Sequence, residues 1–324
     1  MKICVFGAGA VGGHIAAKLA AHGHDVSVVG RGAHLEAMRE RGVTLIHGSE
    51  TIRGRVRTSE PGEQDFIFVT LKANALGAFA AGARPLLGAR TCVVFAQNGI
   101  PWWYAIGLSP ERPRPPDLSR LDRGVSQVLD KKQIVGCVVY SANVVREPGV
   151  VVNNVPGNNM LVVGHADDRD SEEIRALRAL LTQADLHSPP TSDIRQAVWG
   201  KLVQNVSTAA LCTLTGATIK EVREDPRLSE IAKRLAAETR AIAGAHGVDP
   251  AAAPQRPSGG QSSGAISHKP SMLQDFERGR PMEIDALLVA VLAFARAASV
   301  AAPTLETIVP LVVHKAAARG LYAD

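Results

Sequence analysis

A Gly-x-Gly-x-x-Gly pattern near the start of the chain has the residue types that bind the pyrophosphate of a dinucleotide. It reads Gly7-Ala8-Gly9-Ala10-Val11-Gly12. An apolar run from Ile3 to Phe6 predicts a buried strand before it, and Ile15 and Leu19 share one face of a predicted helix after it. The first glycine permits a tight turn, the second lets phosphates approach the backbone, and the third lets the helix approach the strand. The pattern therefore predicts a nucleotide site at a helix N-terminus, with a purely structural turn as the alternative.

A basic residue follows the second predicted strand. Asp25 to Val29 is an apolar-rich run that leads to Arg31. In nicotinamide-binding folds an Asp or Glu at this point holds the ribose 2′-hydroxyl. An arginine instead favours the 2′-phosphate of NADPH, because a guanidinium can bind phosphate and stack on adenine. A solvated surface arginine is the alternative.

Polar residues also end the next two predicted parallel strands. The run from Asp65 to Leu71 ends at Lys72, and the run from Thr91 to Ala96 is followed by Asn98. Ligands of such sheets bind at the carboxyl ends of the strands. We therefore expect Lys72 and Asn98 to lie at a ligand site.

A lysine and an asparagine share one face of a predicted helix in the second half of the chain. Lys201 and Asn205 are four residues apart, among apolar neighbours such as Leu202 and Val206. Apolar surroundings disfavour the charged form of a lysine, which can make it a proton donor near neutral pH. A lysine that extends to the helix surface is the alternative.

Further polar candidates lie near the end of the chain. Ser271 can bind a ligand or cap a helix with Gln274 three residues later. Glu283 follows Pro281 at a predicted helix start, where the helix dipole alone favours an acid. These residues leave functional and structural interpretations open.

The elements that position these residues suggest two domains in 324 residues. Strands alternate with helices up to about residue 184, and helical periodicity dominates from about residue 193. The Pro- and Ser-rich stretch from His187 to Ser192 predicts a boundary, giving domains 1–190 and 191–324. A second stretch, Ala253 to Ser267, is rich in Pro, Gly, Ser and Gln and predicts a mobile loop.

Composition excludes several classes of protein. The net charge of +5 is spread along the chain without a basic block, so we expect no nucleic-acid partner. No apolar run reaches about 18 residues, and no export signal is recognisable, so we expect a cytoplasmic protein without a membrane partner. The four cysteines lack metal-ligand spacing and are expected to be reduced core thiols, without a bound metal.

An aromatic segment stands out in a chain with only 4% aromatic residues. Ile100-Pro101-Trp102-Trp103-Tyr104 leads into a Pro- and Arg-rich stretch, Pro110 to Gly124, that predicts an exposed loop. The aromatic residues could anchor this insertion or cover a substrate, and the sequence does not choose between the two.

Taken together, the motifs resemble those of the ketopantoate reductase (2-dehydropantoate 2-reductase) family along the whole chain. The shared motifs are the glycine pattern, Arg31, Lys72, Gln97-Asn98-Gly99, Lys201-Leu202-x-x-Asn205, Ser271-Met272-Leu273-Gln274-Asp275 and Met282-Glu283-Ile284-Asp285. The resemblance implies an α/β fold: an N-terminal Rossmann-type domain, then an all-helical C-terminal domain like that of 6-phosphogluconate dehydrogenase, with the active site between them.

The resemblance also implies the chemistry. NADPH would reduce a small-molecule 2-keto acid, most simply 2-dehydropantoate, to a 2-hydroxy acid on the route to pantothenate and coenzyme A. Lys201 would be the proton donor, and Asn98, Asn205 and Ser271 would hold the substrate. Glu283 would accept a hydrogen bond from the substrate 4-hydroxyl or position Lys201. The same cofactor would contact the glycine pattern, Arg31, Lys72 and Asn98, and a homodimer is compatible with the resemblance.

Two departures from the family pattern concern the substrate. A second asparagine often found four residues after Asn205 is here Ala209, and the 101–123 insertion is absent from shorter members. The alternatives are therefore a reductase of a bulkier 2-keto acid, with Trp102 and Trp103 shaping its site, or a non-catalytic NADPH-binding regulator. The presence of Lys201, Asn205 and Glu283 argues against a regulator, because a sensor needs no proton donor.

Overall fold

The structure of the chain is a computed structural model that describes residues 1–59, 61–256 and 269–323. Most of the loop predicted from Ala253 to Ser267 lies outside the described residues.

The strands form where apolar runs were expected, and short additional strands flank them. Their bounds are β1 Lys2–Phe6, β2 Asp25–Val29, β3 Val43–His47, β4 Glu50–Gly54, β5 Phe66–Val69, β6 Cys92–Phe95, β7 Ile134–Tyr140, β8 Asn143–Glu147, β9 Val150–Asn153 and β10 Met160–His165.

The helices include each of those predicted from helical periodicity. Their bounds are α1 Ala10–Ala21, α2 Gly32–Arg41, α3 Leu76–Gly82, α4 Ser119–Asp122, α5 Glu172–Gln183, α6 Ile194–Thr215, α7 Ile219–Glu224, α8 Pro226–Ala245, α9 Ser271–Glu277, a π-helical turn Asp285–Val289 that continues into α10 Ala290–Ala297, and α11 Pro303–Ala317. The sequence analysis left α2, α3, α7 and β8 unassigned, and it predicted a loop where the short helix α4 forms.

The first compact unit is built on a six-stranded sheet of order β10-β7-β6-β5-β1-β2. All its pairings are parallel except β10 with β7. Strand β1 therefore lies between β2 and β5, and Phe6 is paired with Val29 on one side and Val69 on the other. The loops after these three strands consequently leave the sheet at the same edge. This is the expected N-terminal Rossmann-type sheet.

A second, four-stranded sheet of order β4-β3-β9-β8 covers helix α1 within the same unit. Every residue of α1 from Gly12 to Leu19 is buried, so the helix has no solvent-facing stripe. His14 on this helix contacts Ser141 and Asn143, at 3.3 and 3.2 Å from its Nδ1. Burial, followed by the charges of His47 and Lys18, lowers the pKa of His14 to about 3. The imidazole is therefore neutral and belongs to a polar cluster that holds α1 against the second sheet.

The second compact unit is helical, and the aromatic segment lies inside it. Trp103 and Tyr104 are each 1% exposed, and Trp199 of α6 donates from Nε1 to the Tyr104 hydroxyl at 2.7 Å. The rings of Tyr104 and Trp199 both pack edge-on against Phe294 of α10. Arg195, fully buried, donates to the Tyr104 carbonyl at 2.8 Å. The aromatic segment thus anchors the insertion in the helical core.

The two units are not continuous stretches of chain. Among the described residues, the first comprises 1–59, 61–97, 123–194 and 254–256, and the second comprises 98–122, 195–253 and 269–323. Residues 98–122 thus belong to the helical unit although they follow a strand of the sheet. The domain division at residue 190 stays a prediction. Within the described parts of the chain, no helix is long and apolar enough to cross a membrane.

The Trp199–Tyr104 hydrogen bond yields a test of the aromatic anchor. We expect Tyr104→Phe to lower the free energy of unfolding by about 1–3 kcal/mol, because it leaves the buried Trp199 N–H without its acceptor. Urea denaturation measures the change. The same substitution made in a Trp199→Phe background should cost clearly less, and an equal cost in both backgrounds would show that the bond contributes nothing.

Candidate functional site

The turn between β1 and α1 has the geometry that the glycine pattern predicts. Gly7 has φ +103°, which L side chains rarely adopt, and its N–H donates to the Val29 carbonyl at 2.8 Å. The N–H of Gly9 in turn donates to the Gly7 carbonyl at 2.9 Å. The chain therefore reverses sharply at the carboxyl end of β1 and enters the helix at once.

Gly9 leaves space where a phosphate could approach. It is exposed, and a Cβ at this position would meet no protein atom within 4 Å. It is also the N-cap of α1, and no side chain caps this end of the helix. The N–H groups at the first helical positions, Ala10, Val11 and Gly12, therefore have no partner within the helix and favour an anion. Together with the buried Ala8, this turn fits a dinucleotide pyrophosphate.

Gly12 serves packing. A Cβ here would overlap the Gly7 carbonyl oxygen and lie 2.5 Å from the Thr70 hydroxyl oxygen. Thr70 follows β5 and donates its hydroxyl to that same Gly7 carbonyl. Thr70 is a positioning residue that the sequence analysis did not single out, although a polar residue at the end of a buried strand was a usable signal.

Arg31 and Lys72 follow the two strands that flank β1. Arg31 is exposed and is the N-cap residue of α2, directly after β2. Lys72 is half-buried and precedes the 3₁₀ turn Ala73–Ala75 after β5. Gln97, at the end of β6, donates to the Leu71 carbonyl at 3.2 Å and ties two of these strand ends together. The first unit thus carries the glycine turn and two cations at one edge of its sheet.

The second unit brings Lys201 and Asn98 together. The Lys201 ammonium lies 2.5 Å from Asn98 Oδ1 and donates to it. Helix α6 presents Lys201 half-buried, next to the buried Leu202, with Asn205 half-buried one turn later. Asn98 and Lys201 are 103 positions apart, so their contact depends on the fold of the helical unit.

Asn98 is held by a backbone contact at the next two residues. Gly99 has φ +88°, and a Cβ there would lie 2.5 Å from the Ala286 carbonyl oxygen. The Ile100 N–H donates to that same oxygen at 2.8 Å. Ala286 belongs to the π-helical turn, a feature often found at functional sites. Only glycine permits this approach, which explains why it follows Asn98.

Glu283 and Ser271 are placed at two helix starts of the same unit. Glu283 is half-buried and lies two residues before the π-helical turn. Ser271 is exposed and is the first residue of α9. The N-cap residue of this helix is Pro270, and no side chain caps the helix start. The capping interpretation of Ser271 is therefore wrong, since Gln274 donates to the Lys269 carbonyl instead. Whether Ser271 and Glu283 meet the substrate stays a prediction.

Asp285 is a further residue with an unexpected contact. It was quoted as part of a motif without a role, and it accepts hydrogen bonds from Arg120 and Tyr322. Partners so distant in the chain leave no local sequence signal. Among the described residues, no group of three or more His, Cys, Asp or Glu side chains could hold a metal ion.

Comparisons with known proteins agree on one family. The model of the family described as "Ketopantoate reductase PanE/ApbA" matches residues 3–112, and that of its C-terminal part matches residues 193–316. A 2-dehydropantoate 2-reductase from Mesorhizobium japonicum is 39% identical over 333 residues, covering 100% of both chains.

Two solved structures show the same fold over the full chain. One from Ralstonia solanacearum MolK2 has 33% identity and a TM-score of 0.83, covering 99% of each chain. A dimeric ketopantoate reductase from Staphylococcus aureus has 18% identity and a TM-score of 0.75, covering 99% of this chain and 100% of that one.

The different environments of Gly9 and Gly12 give a paired test. We expect Gly9→Ala to fold with an unchanged melting temperature but to bind NADPH roughly 10-fold or more weakly, because the new methyl group occupies the open space at the helix N-terminus. Gly12→Ala should instead lower the free energy of unfolding by about 1–3 kcal/mol or more, because its methyl group overlaps backbone. Calorimetric titration and thermal unfolding measure the two effects. Wild-type NADPH affinity in Gly9→Ala would contradict the phosphate assignment.

Proposed function

The chain belongs to the ketopantoate reductase family, and we propose that it catalyses the NADPH-dependent reduction of 2-dehydropantoate to pantoate. The observation that carries this proposal is the 2.5 Å contact between the Lys201 ammonium and Asn98 Oδ1. It supports Lys201 as the proton donor, because a lysine ammonium held by a neutral amide can supply the proton that the reduction of a ketone needs. The 39% identical relative with that activity in its name supports the choice of substrate.

Lys201 has two tasks in the proposed reaction. Negative charge develops on the keto oxygen as the carbonyl carbon is reduced, and a fixed ammonium stabilises that charge. Lys201 then transfers a proton to the same oxygen, which completes the hydroxyl group. The Asn98 carbonyl oxygen accepts one ammonium N–H and so helps to fix the position of the ammonium. Because the charge exists chiefly in the transition state, this contact acts mainly on kcat.

The first unit has the residues to hold the cofactor. When bound, NADPH supplies the hydride for the reduction. The backbone from Gly7 to Gly12 would bind its pyrophosphate, and Arg31 with Lys72 would bind the 2′-phosphate. Asn98, which the sequence analysis assigned to both cofactor and substrate, would contact the nicotinamide end.

The helical unit has the residues to hold the keto acid. Asn205 lies one turn from Lys201 on α6 and would orient the carbonyl side of the substrate. Ser271, exposed at the start of α9, would meet the carboxylate. Glu283 would accept a hydrogen bond from the 4-hydroxyl or position Lys201. We propose a homodimer for the assembly, as described for the relative from Staphylococcus aureus, and sedimentation analysis tests it.

A substrate screen tests the reaction itself. The purified protein is mixed with NADPH and each of a panel of 2-keto acids, and the loss of NADPH absorbance is measured. NADPH should be oxidised fastest with 2-dehydropantoate. Faster turnover of a bulkier 2-keto acid would contradict 2-dehydropantoate as the substrate and favour the bulkier acid instead. NADPH binding without turnover of any keto acid would favour the non-catalytic regulator.

The role of Lys201 predicts that its removal lowers kcat without weakening cofactor binding. We expect Lys201→Met to lower kcat roughly 10²–10⁴-fold, because it removes the proton donor while retaining the length of the side chain. The dissociation constant of NADPH should stay near that of the wild type. Lys220→Met, which removes an exposed lysine from α7 of the same unit, is the control. A near-normal kcat, or a defect entirely in NADPH affinity, would contradict the proton-donor role.

The position of Arg31 predicts cofactor preference. We expect Arg31→Asp to weaken NADPH binding roughly 10–150-fold through loss of a charge-assisted phosphate contact, with a much smaller effect on NADH. Arg90→Asp makes the same charge change at another exposed site, just before β6 at the opposite edge of the sheet. It should leave both cofactors unaffected. A wild-type preference for NADH, or equal losses in the two variants, would show that Arg31 does not read the 2′-phosphate.

A further inference from the structure

The Asp285 carboxylate joins two distant parts of the helical unit. Its side chain is only 16% exposed. Oδ1 accepts a hydrogen bond from the Tyr322 hydroxyl at 2.6 Å, and Oδ2 accepts one from Arg120 Nε at 3.2 Å. Tyr322 belongs to the end of the chain and Arg120 to the insertion after the aromatic segment. We call these three residues the Asp285 clamp.

Further contacts fix the end of the chain beside residues 282 to 285. The Met282 N–H donates to the Leu321 carbonyl at 3.0 Å. Arg120 also donates to the Ala323 carbonyl at 3.0 Å, and its guanidinium lies 5.9 Å from the centre of the Tyr322 ring. Arg120 therefore contacts both the carboxylate and the chain segment that supplies its second donor.

Glu283 lies between two of these fixed points. Met282 before it is bonded to Leu321, and Asp285 after it is held by the clamp. Met282 and Ile284, its two neighbours, are buried. The backbone on both sides of Glu283 is thus restrained.

The same short segment also reaches the proton donor. Ala286, next to Asp285, accepts the Ile100 N–H, and Asn98 two residues earlier in the chain contacts Lys201. A shift of the π-helical turn would therefore move the Asn98 segment as well as Glu283.

We propose that Arg120, Asp285 and Tyr322 are positioning residues that orient Glu283 for the keto acid, and that the insertion exists in part to supply Arg120. This inference rests on the proposed function of Glu283. The clamp acts through geometry more than stability: Arg120 is 47% exposed, and such ion pairs contribute little to folding. Its charge-assisted bonds restrict orientation instead.

The test compares Arg120→Met and Tyr322→Phe with a matched control. Each variant should raise the KM for the keto acid about 3- to 10-fold, the effect of one lost hydrogen bond on substrate orientation. The NADPH dissociation constant and the melting temperature should stay near wild type. Arg120→Lys keeps the charge and should give an intermediate KM.

The control is Arg234→Met. Arg234 Nε pairs with Glu230 at 3.4 Å on α8 of the same unit, so it has the same donor atom and a similar distance, far along the chain from Glu283. Hydrogen exchange of residues 282–289 provides a readout that does not need turnover. It should rise in Arg120→Met and Tyr322→Phe and stay unchanged in Arg234→Met.

Two results would overturn the clamp. One is an unchanged KM and unchanged exchange in both clamp variants; the other is an equal rise in Arg234→Met. If the wild-type protein reduces no 2-keto acid, the proposed function fails. In that case the role of the clamp toward a keto acid fails as well, while exchange at 282–289 still decides whether Arg120 and Tyr322 restrain this segment.

Discussion

The helical unit depends on one backbone contact, the approach of Gly99 to Ala286. No residue with a Cβ could occupy position 99, because that atom would lie 2.5 Å from the Ala286 carbonyl oxygen. The approach lets the Ile100 N–H donate to the same oxygen, so residues 99 and 100 are bonded directly to the π-helical turn. Asn98 directly precedes this contact and Glu283 lies three residues before Ala286, so the contact links two of the proposed site residues of this unit.

The first unit uses missing side chains for two opposite purposes. At Gly12 the missing Cβ lets α1 pack against the Gly7 turn, and at Gly9 it keeps open space above the first turn of the helix. The motif thus combines a packing requirement with a binding requirement. Thr70 completes the turn by donating to the Gly7 carbonyl, which also accepts the Gly9 N–H. The remaining groups at this end of α1 are hydrogen-bond donors, which is why an anion suits it.

The sequence predicted those elements whose signal is local. The run from Asp65 to Leu71 predicted β5, and the helical periodicity from about residue 193 predicted helices such as α8. Both signals are local, because an apolar run or a 3.6-residue period belongs to the element itself. Helix α2 went unassigned because it is short and mostly polar, with only Ala37 and Met38 buried. Helix α1 is buried from Gly12 to Leu19 because it contacts both sheets, and the second sheet pairs strands that are more than a hundred residues apart. The periodicity of α1 itself therefore could not predict the second sheet.

The candidate site residues also divide into those with a local sequence signal and those whose contacts depend on the fold. The geometry of the glycine turn and the position of Arg31 after β2 were predictable, because one strand, its turn and the next strand form a continuous motif. Only the family resemblance put Lys201 and Asn98 in one site, and the binding roles of all these residues stay predictions. The partners of Asp285 lie 165 and 37 positions away, in an insertion and in the end of the chain. A carboxylate at a helix start has a sufficient local explanation in the helix dipole, and that explanation conceals a tertiary role. The aromatic segment illustrates the same point: buried with Trp199 and Phe294, it anchors the insertion so that Arg120 can reach Asp285.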